Sequence, residues 1–227
     1  MIESKATVAS RLVPQLRDRI ARGLLRPNAK LRLQELADLY GVSLSAVRET
    51  LVRLSADGLV TGEDQRGFRV AETSIADLIE VTTLRVQFEP YALRLAINRG
   101  DAQWEENLVA IFHRLTKIEK SDDYVPFLDD WEKAHREFHM SLIKGCGMPM
   151  LHQFCSSLHD MSDRYRRIYL ANHLPPQRDV VKEHAEIIEA VLARDADKAC
   201  QALAAHSQRT GSTVLERLKH LSSTTNH

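Results

Sequence analysis

The 227-residue sequence has no long apolar run. Crossing a bilayer takes about 18–20 consecutive apolar residues, and nothing here approaches that length, so no membrane partner is expected. Residues 1–10 lack the apolar core of a secretory signal, which predicts a cytoplasmic protein. Cysteine is scarce. Cys146, Cys155 and Cys200 are scattered, odd in number and never in CxxC spacing, so they read as buried or free thiols and not as a disulfide frame. Net charge is absent as well, at +0, and a balanced charge selects no partner by itself. There is also no phosphate-binding P-loop, no GxSxG nucleophile turn and no HExxH metal motif.

What remains is an ordinary globular mix, 44% apolar and 27% charged, long enough for one or two domains. The charge is unevenly spread. Residues 1–72 carry 12 Lys/Arg against 9 Asp/Glu, and the remainder 19 against 22. The basic tilt of the first segment has the sign that DNA phosphates require.

Val8 to Ala21 forms an amphipathic helical pattern with Leu12, Leu16 and Ile20 four residues apart. Gly23, Pro27 and Asn28 end it. A short helix follows from Leu33 to Tyr40, then Gly41-Val42-Ser43, then a helix from Leu44 to Leu54. This is the spacing of a helix-turn-helix. Ala37 is small where two helices cross, Gly41 suits a left-handed turn, and Ser43 is placed to cap the second helix. Val47, Leu51 and Leu54 form its buried stripe, leaving Leu44, Ser45, Arg48 and Glu49 outward near its start, where a recognition helix meets base edges. Leu59-Val60-Thr61 and Phe68-Arg69-Val70 flank a polar Gly-containing loop and read as a β-hairpin wing, with Arg66 and Gly67 at its tip against the sugar-phosphate backbone.

Residues 8–71 resemble the DNA-binding domain of the GntR family. The resemblance rests on Leu36-Ala37, Gly41-Val42-Ser43, Val47-Arg48-Glu49-Thr50-Leu51, Leu54 and Gly58-Leu59-Val60. It implies a DNA contact at Arg48. Gln34 and Leu44 stand where the family often has arginine, which implies weaker phosphate attraction or a different base preference. Leu44 is suited to a thymine methyl. The candidate DNA-binding set is Gln34, Ser43, Leu44, Ser45, Arg48, Arg66 and Gly67.

From Thr73 onward no strand signal appears. Ser74 with Asp77 reads as a capping box opening a long helix through Leu78, Val81, Leu84, Phe88, Leu93 and Ala96, with a kink expected at Pro90. Five more helical stretches follow. They run from Asp101 to about Lys120, from Asp122 or Asp123 with Pro126 to Gly145, from Met148 to Leu170, from beyond Pro175-Pro176 to near Ala193, and from a cap at Asp195 to about Leu221. The fold class is therefore mainly α. A winged helix-turn-helix spans residues 1–72, and an antiparallel bundle of six helices or more spans residues 73–227.

His135 and His139 are four residues apart and share one helix face, while His184 and His206 sit on later helices. Spacing leaves two readings open: transition-metal ligands inside a bundle, or unrelated core and surface histidines among the ten in the chain. Residues 75–221 resemble the FCD ligand-sensing domain of GntR regulators, through Leu84-Arg85, Glu89-Pro90, Phe138-His139 to Gly145-Cys146-Gly147, His184 with Ile187-Ile188, Ala193-Arg194-Asp195-Ala196, and His206. The resemblance implies a divalent metal at one Asp and three His. His139, His184 and His206 match the histidines, and His135 stands in the Asp position. An all-imidazole set suits Zn²⁺ or Ni²⁺. The stretch from Trp131 to Gly147 is further similar to carbon-starvation-induced, dicarboxylate-responsive regulators.

For the effector, Arg85 and Arg164 are the candidate carboxylate holders. Arg166 and Arg167 read as surface ion-pairing residues. The expected function is a dimeric regulator of double-stranded operator DNA, a repressor released by a small carboxylate. Two rivals stand beside it. One is a metal-dependent enzyme using the His cluster, against which no general base is evident, since Glu183 points away from His184. The other is a helical ligand-binding protein without DNA function, against which Arg48 and the intact turn count.

Overall fold

The computed structural model describes residues 7–63, 67–121, 129–170 and 178–224. The chain divides into two compact units, Met1–Ser74 and Ile75–His227. In the first, α1 (Val8–Ala21), α2 (Leu33–Tyr40) and α3 (Leu44–Ala56) accompany three short strands, β1 (Lys30–Leu31), β2 (Val60–Glu63) and β3 (Gly67–Val70). Leu12, Leu16 and Ile20 of α1 meet Val47, Leu51 and Leu54 of α3 in one aliphatic core. Arg17 bonds Asp57 at the C-terminal end of α3, fixing the two helices together at the surface.

The β2–β3 hairpin is the wing, antiparallel with Val60 opposite Val70 and Glu63 opposite Gly67. The sheet order is β1-β3-β2. β1 is absent from the sequence reading because two residues are too few to show alternation; Leu31 is nonetheless buried opposite Phe68.

The second unit holds α4 (Ile75–Arg99), α5 (Ala102–Glu119), α6 (Asp129–Lys144), α7 (Pro149–Leu170), α8 (Val180–Leu192) and α9 (Ala196–Thr224). Asp101, Asp179 and Asp195 cap α5, α8 and α9 through their side chains. The Asp122/Asp123 and Pro126 opening and the Pro175-Pro176 break lie outside the described residues. α4 continues through Pro90, whose carbonyl accepts the Cys200 thiol at 3.1 Å. Asp77, in the first turn of α4, accepts the Tyr165 hydroxyl.

α4 and α9 cross closely. A Cβ at Gly211 would lie 2.4 Å from Oγ1 of Thr82, so glycine is what lets the two backbones approach. That approach brings Ser207 of α9 within 3.2 Å of the Glu89 carboxylate of α4. Among the described residues, no helix is long and apolar enough to cross a membrane.

Candidate metal centre and nucleic-acid interface

α3 starts where the sequence places it. Gly41 takes φ 62°, ψ 38° at the end of α2, and the Ser43 hydroxyl accepts the Ala46 amide at 3.3 Å. Val47, Leu51 and Leu54 are fully buried. Ser45, Arg48 and Glu49 are exposed, and Leu44 is 47% exposed, so an apolar side chain stands in water at the head of the helix. Glu49 is tied to Arg53 at 2.5 Å, and Arg53 also reaches Ser10. Among the described residues Arg48 has no ion pair, which leaves its guanidinium fork available to a base edge or phosphate. Gln34 is exposed on α2 and donates to Asp38 at 2.8 Å. Gly67 opens β3 at φ 94°, a conformation that disfavours any side chain, although a Cβ there would meet nothing within 4 Å. Arg66 lies outside the described residues.

In the helical unit, His135 and His139 of α6, His184 of α8 and His206 of α9 converge, all buried, with one ligand nitrogen from each within 4.8 Å of the others. Nε2 of His135 lies 3.1 Å from Nε2 of His139. Two nitrogens bound tetrahedrally at about 2.0–2.1 Å would be about 3.3 Å apart, so this pair fits one edge of such a site. Carboxylates from outside the set fix the other two rings. Nδ1 of His184 faces Oε1 of Glu119 at 3.2 Å, and Nδ1 of His206 faces Oε2 of Glu183 at 2.7 Å. Each therefore presents Nε2 inward, in the arrangement that orients metal-bound histidines. Glu119 also takes the indole N–H of Trp131 at 3.1 Å, and Trp131 stacks on His135 with centroids 4.4 Å apart.

Nδ1 of His135 and Nε2 of His184 are buried without hydrogen bonds. Burial holds His135 and His139 well below the ordinary 6.5, helped at His135 by Arg166 and at His139 by His206. His206 is brought down to about 3 by burial, against the raising effect of Glu183. With protonation of His135, His139 and His206 disfavoured by burial, these rings fit a borderline cation such as Zn²⁺ or Ni²⁺ without first losing a proton.

Arg85 is buried, and its guanidinium is already engaged. Nε and Nη2 pair with both oxygens of Glu89, at 2.7 and 3.2 Å, and Nη1 donates to the Ser162 hydroxyl at 2.7 Å. Two of its five N–H groups carry no bond among the described residues. Arg164 is also buried, with Nη2 3.9 Å from Oδ2 of Asp77.

Residues 8–70 match the family described as bacterial regulatory proteins, gntR family, and residues 80–209 match the FCD domain. The chain is 36% identical over 202 residues to the HTH-type transcriptional regulator BphR of Paraburkholderia xenovorans, covering 88% of this chain and 82% of that one. It is 35% identical over 194 residues to the HTH-type transcriptional repressor GlaR of Escherichia coli, covering 84% and 88%. Among solved structures it is similar to E. coli McbR/YncC, with a TM-score of 0.79 at 21% identity, covering 94% of this chain and all of that one. The last likeness concerns the fold alone.

The chain belongs to the GntR family.

As a GntR regulator with an FCD domain it is a DNA-binding transcription regulator and not an enzyme. Around the FCD centre, three residues stand differently from what the sequence alone suggests. Arg166 is not a surface residue. It is 2% exposed and bonds Glu132 and Asp163, with burial pushing the Glu132 carboxyl up even so. The Arg164-Tyr165-Arg166-Arg167 run looks solvated by composition, and only the partners on α6 and α7 reveal otherwise. Glu183 does point away from His184, yet it lies against His206, with its carboxyl held down to about 2. There burial pushes the value up, and the bonds from His206 and Arg178 outweigh it. Finally, His159 of α7 is a fifth buried histidine beside the four and went unnoticed, because its own helix carries no partner histidine at i±4.

Proposed function

We propose that this GntR regulator is a repressor released from operator DNA by a small carboxylate of the dicarboxylate class, bound at the histidine centre of its helical unit. The observation that carries the reading is that centre: four buried imidazoles on three helices, two of them backed by carboxylates, beside the buried guanidinium of Arg85. His135, His139, His184 and His206 would hold a divalent d-block metal, Zn²⁺ or Ni²⁺. The metal supplies a fixed positive charge for one carboxylate. The free N–H groups of Arg85 meet a second ligand group, or Glu89 yields part of the fork to it. Arg164, buried on α7, is the second candidate to hold an effector carboxylate. The repressor sign is supported by the relative GlaR, which is named a transcriptional repressor.

Arg48 leads the DNA contacts, with Leu44, Ser45, Gln34, Arg66 and Gly67 around it and Ser43 setting the helix start. One short recognition helix reads too few bases for useful specificity, so the working form is a homodimer on a two-fold site. Release requires the ligand to prefer one dimer arrangement over another, since equal affinity for both shifts nothing.

The test combines elemental analysis of the purified protein with a thermal-shift panel of mono- and dicarboxylates, with and without chelator. One equivalent of Zn²⁺ or Ni²⁺ per chain, and stabilisation by a carboxylate that chelation abolishes, would support the reading. A protein that takes up no metal even in excess Zn²⁺ would remove the metal from it.

A further inference from the structure

Charged residues make up 27% of this chain, yet two neighbouring helices show water almost none. From Val81 to Leu93, α4 carries two charged residues, Arg85 and Glu89, and both are buried. From Pro149 to His159, α7 carries no Asp, Glu, Lys or Arg. What these helices turn outward instead is apolar. Phe88, Tyr91 and Leu95 stand at i, i+3 and i+7 on α4, and Met150, Phe154 and Met161 at i, i+4 and i+11 on α7, so each trio lines one face of its helix. Met150 is 88% exposed, Tyr91 51% and Phe154 40%. The other three are half-buried.

The two trios form one patch. The rings of Phe88 and Phe154 meet edge to face with centroids 5.2 Å apart. Beneath them, Arg85 of α4 donates to the Ser162 hydroxyl of α7 at 2.7 Å and ties the same two helices together on their buried side. Single exposed apolar residues are ordinary. A contiguous apolar face without charge has the composition of an interface centre, where aromatic residues and Met are enriched and charged ones depleted. The same chemistry selects the occupant. In a two-fold interface one face meets itself, so a charge near the axis meets its own copy and repels it. A face with no exposed charge is complementary to itself, whereas an acidic or basic partner finds nothing on it to pair with.

The geometry points to the α4–α7 face as the docking surface for a second copy of this chain, with Phe88, Tyr91, Met150 and Phe154 at its centre. This rests on the homodimer reading above and places its interface. It also joins that interface to the effector centre. α4 begins where the DNA-binding unit ends, at Ser74, and carries Arg85, so a ligand that draws on Arg85 acts on the helix pair that holds the two copies together.

Sedimentation equilibrium of the full-length protein tests the assignment. The wild type is expected at twice the mass of one chain. Met150→Glu and Tyr91→Glu place a carboxylate on side chains that water reaches in the single chain, so both should fold. Each should raise the dimer dissociation constant about 100-fold or more, because the dimer would bury a charge without a partner. Leu192→Glu puts the same charge on an exposed apolar residue of α8, outside the patch, and should leave the dimer intact. Peroxide oxidation of the wild type needs no substitution. The Met150 thioether should be protected at concentrations where the dimer forms and oxidise faster once dilution separates the copies. Folded Met150→Glu and Tyr91→Glu proteins that dimerise as tightly as a dimeric wild type would overturn the assignment of this face and leave the homodimer reading intact. So would a Leu192→Glu protein that dissociates as fully as they do, or a Met150 that oxidises equally fast in dimer and monomer. A wild type that is monomeric at every concentration would overturn the homodimer reading and this proposal with it.

Discussion

The two units of this GntR regulator spend their polar residues differently. In the DNA-binding unit, Thr50 is the single buried polar side chain among the described residues, and its hydroxyl is satisfied by the Ala46 carbonyl at 2.8 Å. Its core is Leu, Ile, Val and Phe, and its charges lie outside. In the helical unit, five histidines, Arg85, Arg164, Arg166, Glu89, Glu119, Glu132 and Asp163 are all buried. All ten histidines of the chain lie beyond residue 112. A unit that binds a polymer carrying its own charges outside can keep a dry core and present cations on a face. A unit with a buried polar centre must satisfy those groups inside, by one another or by a bound solute or metal.

Acid should separate the units most. In the folded helical unit His135, His139 and His206 are held neutral by burial, whereas the unfolded chain protonates them near 6.5. The unfolded state therefore binds more protons below that value, and stability present above pH 6.5 is lost as the pH falls. Denaturant titrations of chelated protein from pH 7.5 to 5 should show the helical transition moving steadily to lower denaturant, with a proton uptake approaching three. The DNA-binding unit, with no histidine, should move far less. Equal movement of both would break the comparison.

Next in size is Arg166→Met. It strands Glu132 and Asp163 in the interior, and removing one partner of a buried ion pair costs about 3–5 kcal/mol. The exposed Arg53–Glu49 pair of α3 is the control, since breaking an exposed pair costs at most about 1 kcal/mol. Chemical denaturation of Arg166→Met and Arg53→Met compares the two directly.

Smaller again is Arg48→Ala, expected to weaken operator binding by about 1–3 kcal/mol with no change in unfolding midpoint. Unchanged affinity in a footprinting titration would take Arg48 off the DNA face.

Much of the fold was legible because it is written in local spacing. The four-residue rhythm of Leu12, Leu16 and Ile20, the left-handed Gly41, the Ser43 cap and the aspartates at 101 and 195 all act within a few residues of themselves. The centre was legible in part, and chiefly through family resemblance. His135 and His139 are local to each other, but Glu119 and His184 are 65 residues apart, and Arg85 and Ser162 are 77. No periodicity reports such pairs. Arg166 shows the same limit from the other side. A run of arginines looks like surface until the acids that neutralise it are placed in space.

In the proposed mechanism, the buried centre governs the exposed DNA face only through its ligand. Fluorescence anisotropy of a labelled operator fragment tests it most directly, titrated with the wild type and with His139→Ala, each with and without the carboxylate that best stabilises the wild type. The wild-type dissociation constant should rise with ligand and level off at about 5- to 150-fold, the usual range of such coupling. His139→Ala should bind the operator as tightly as unliganded wild type and ignore the ligand. A folded His139→Ala protein that still responds fully to the carboxylate, or that has lost operator binding without it, would contradict the account.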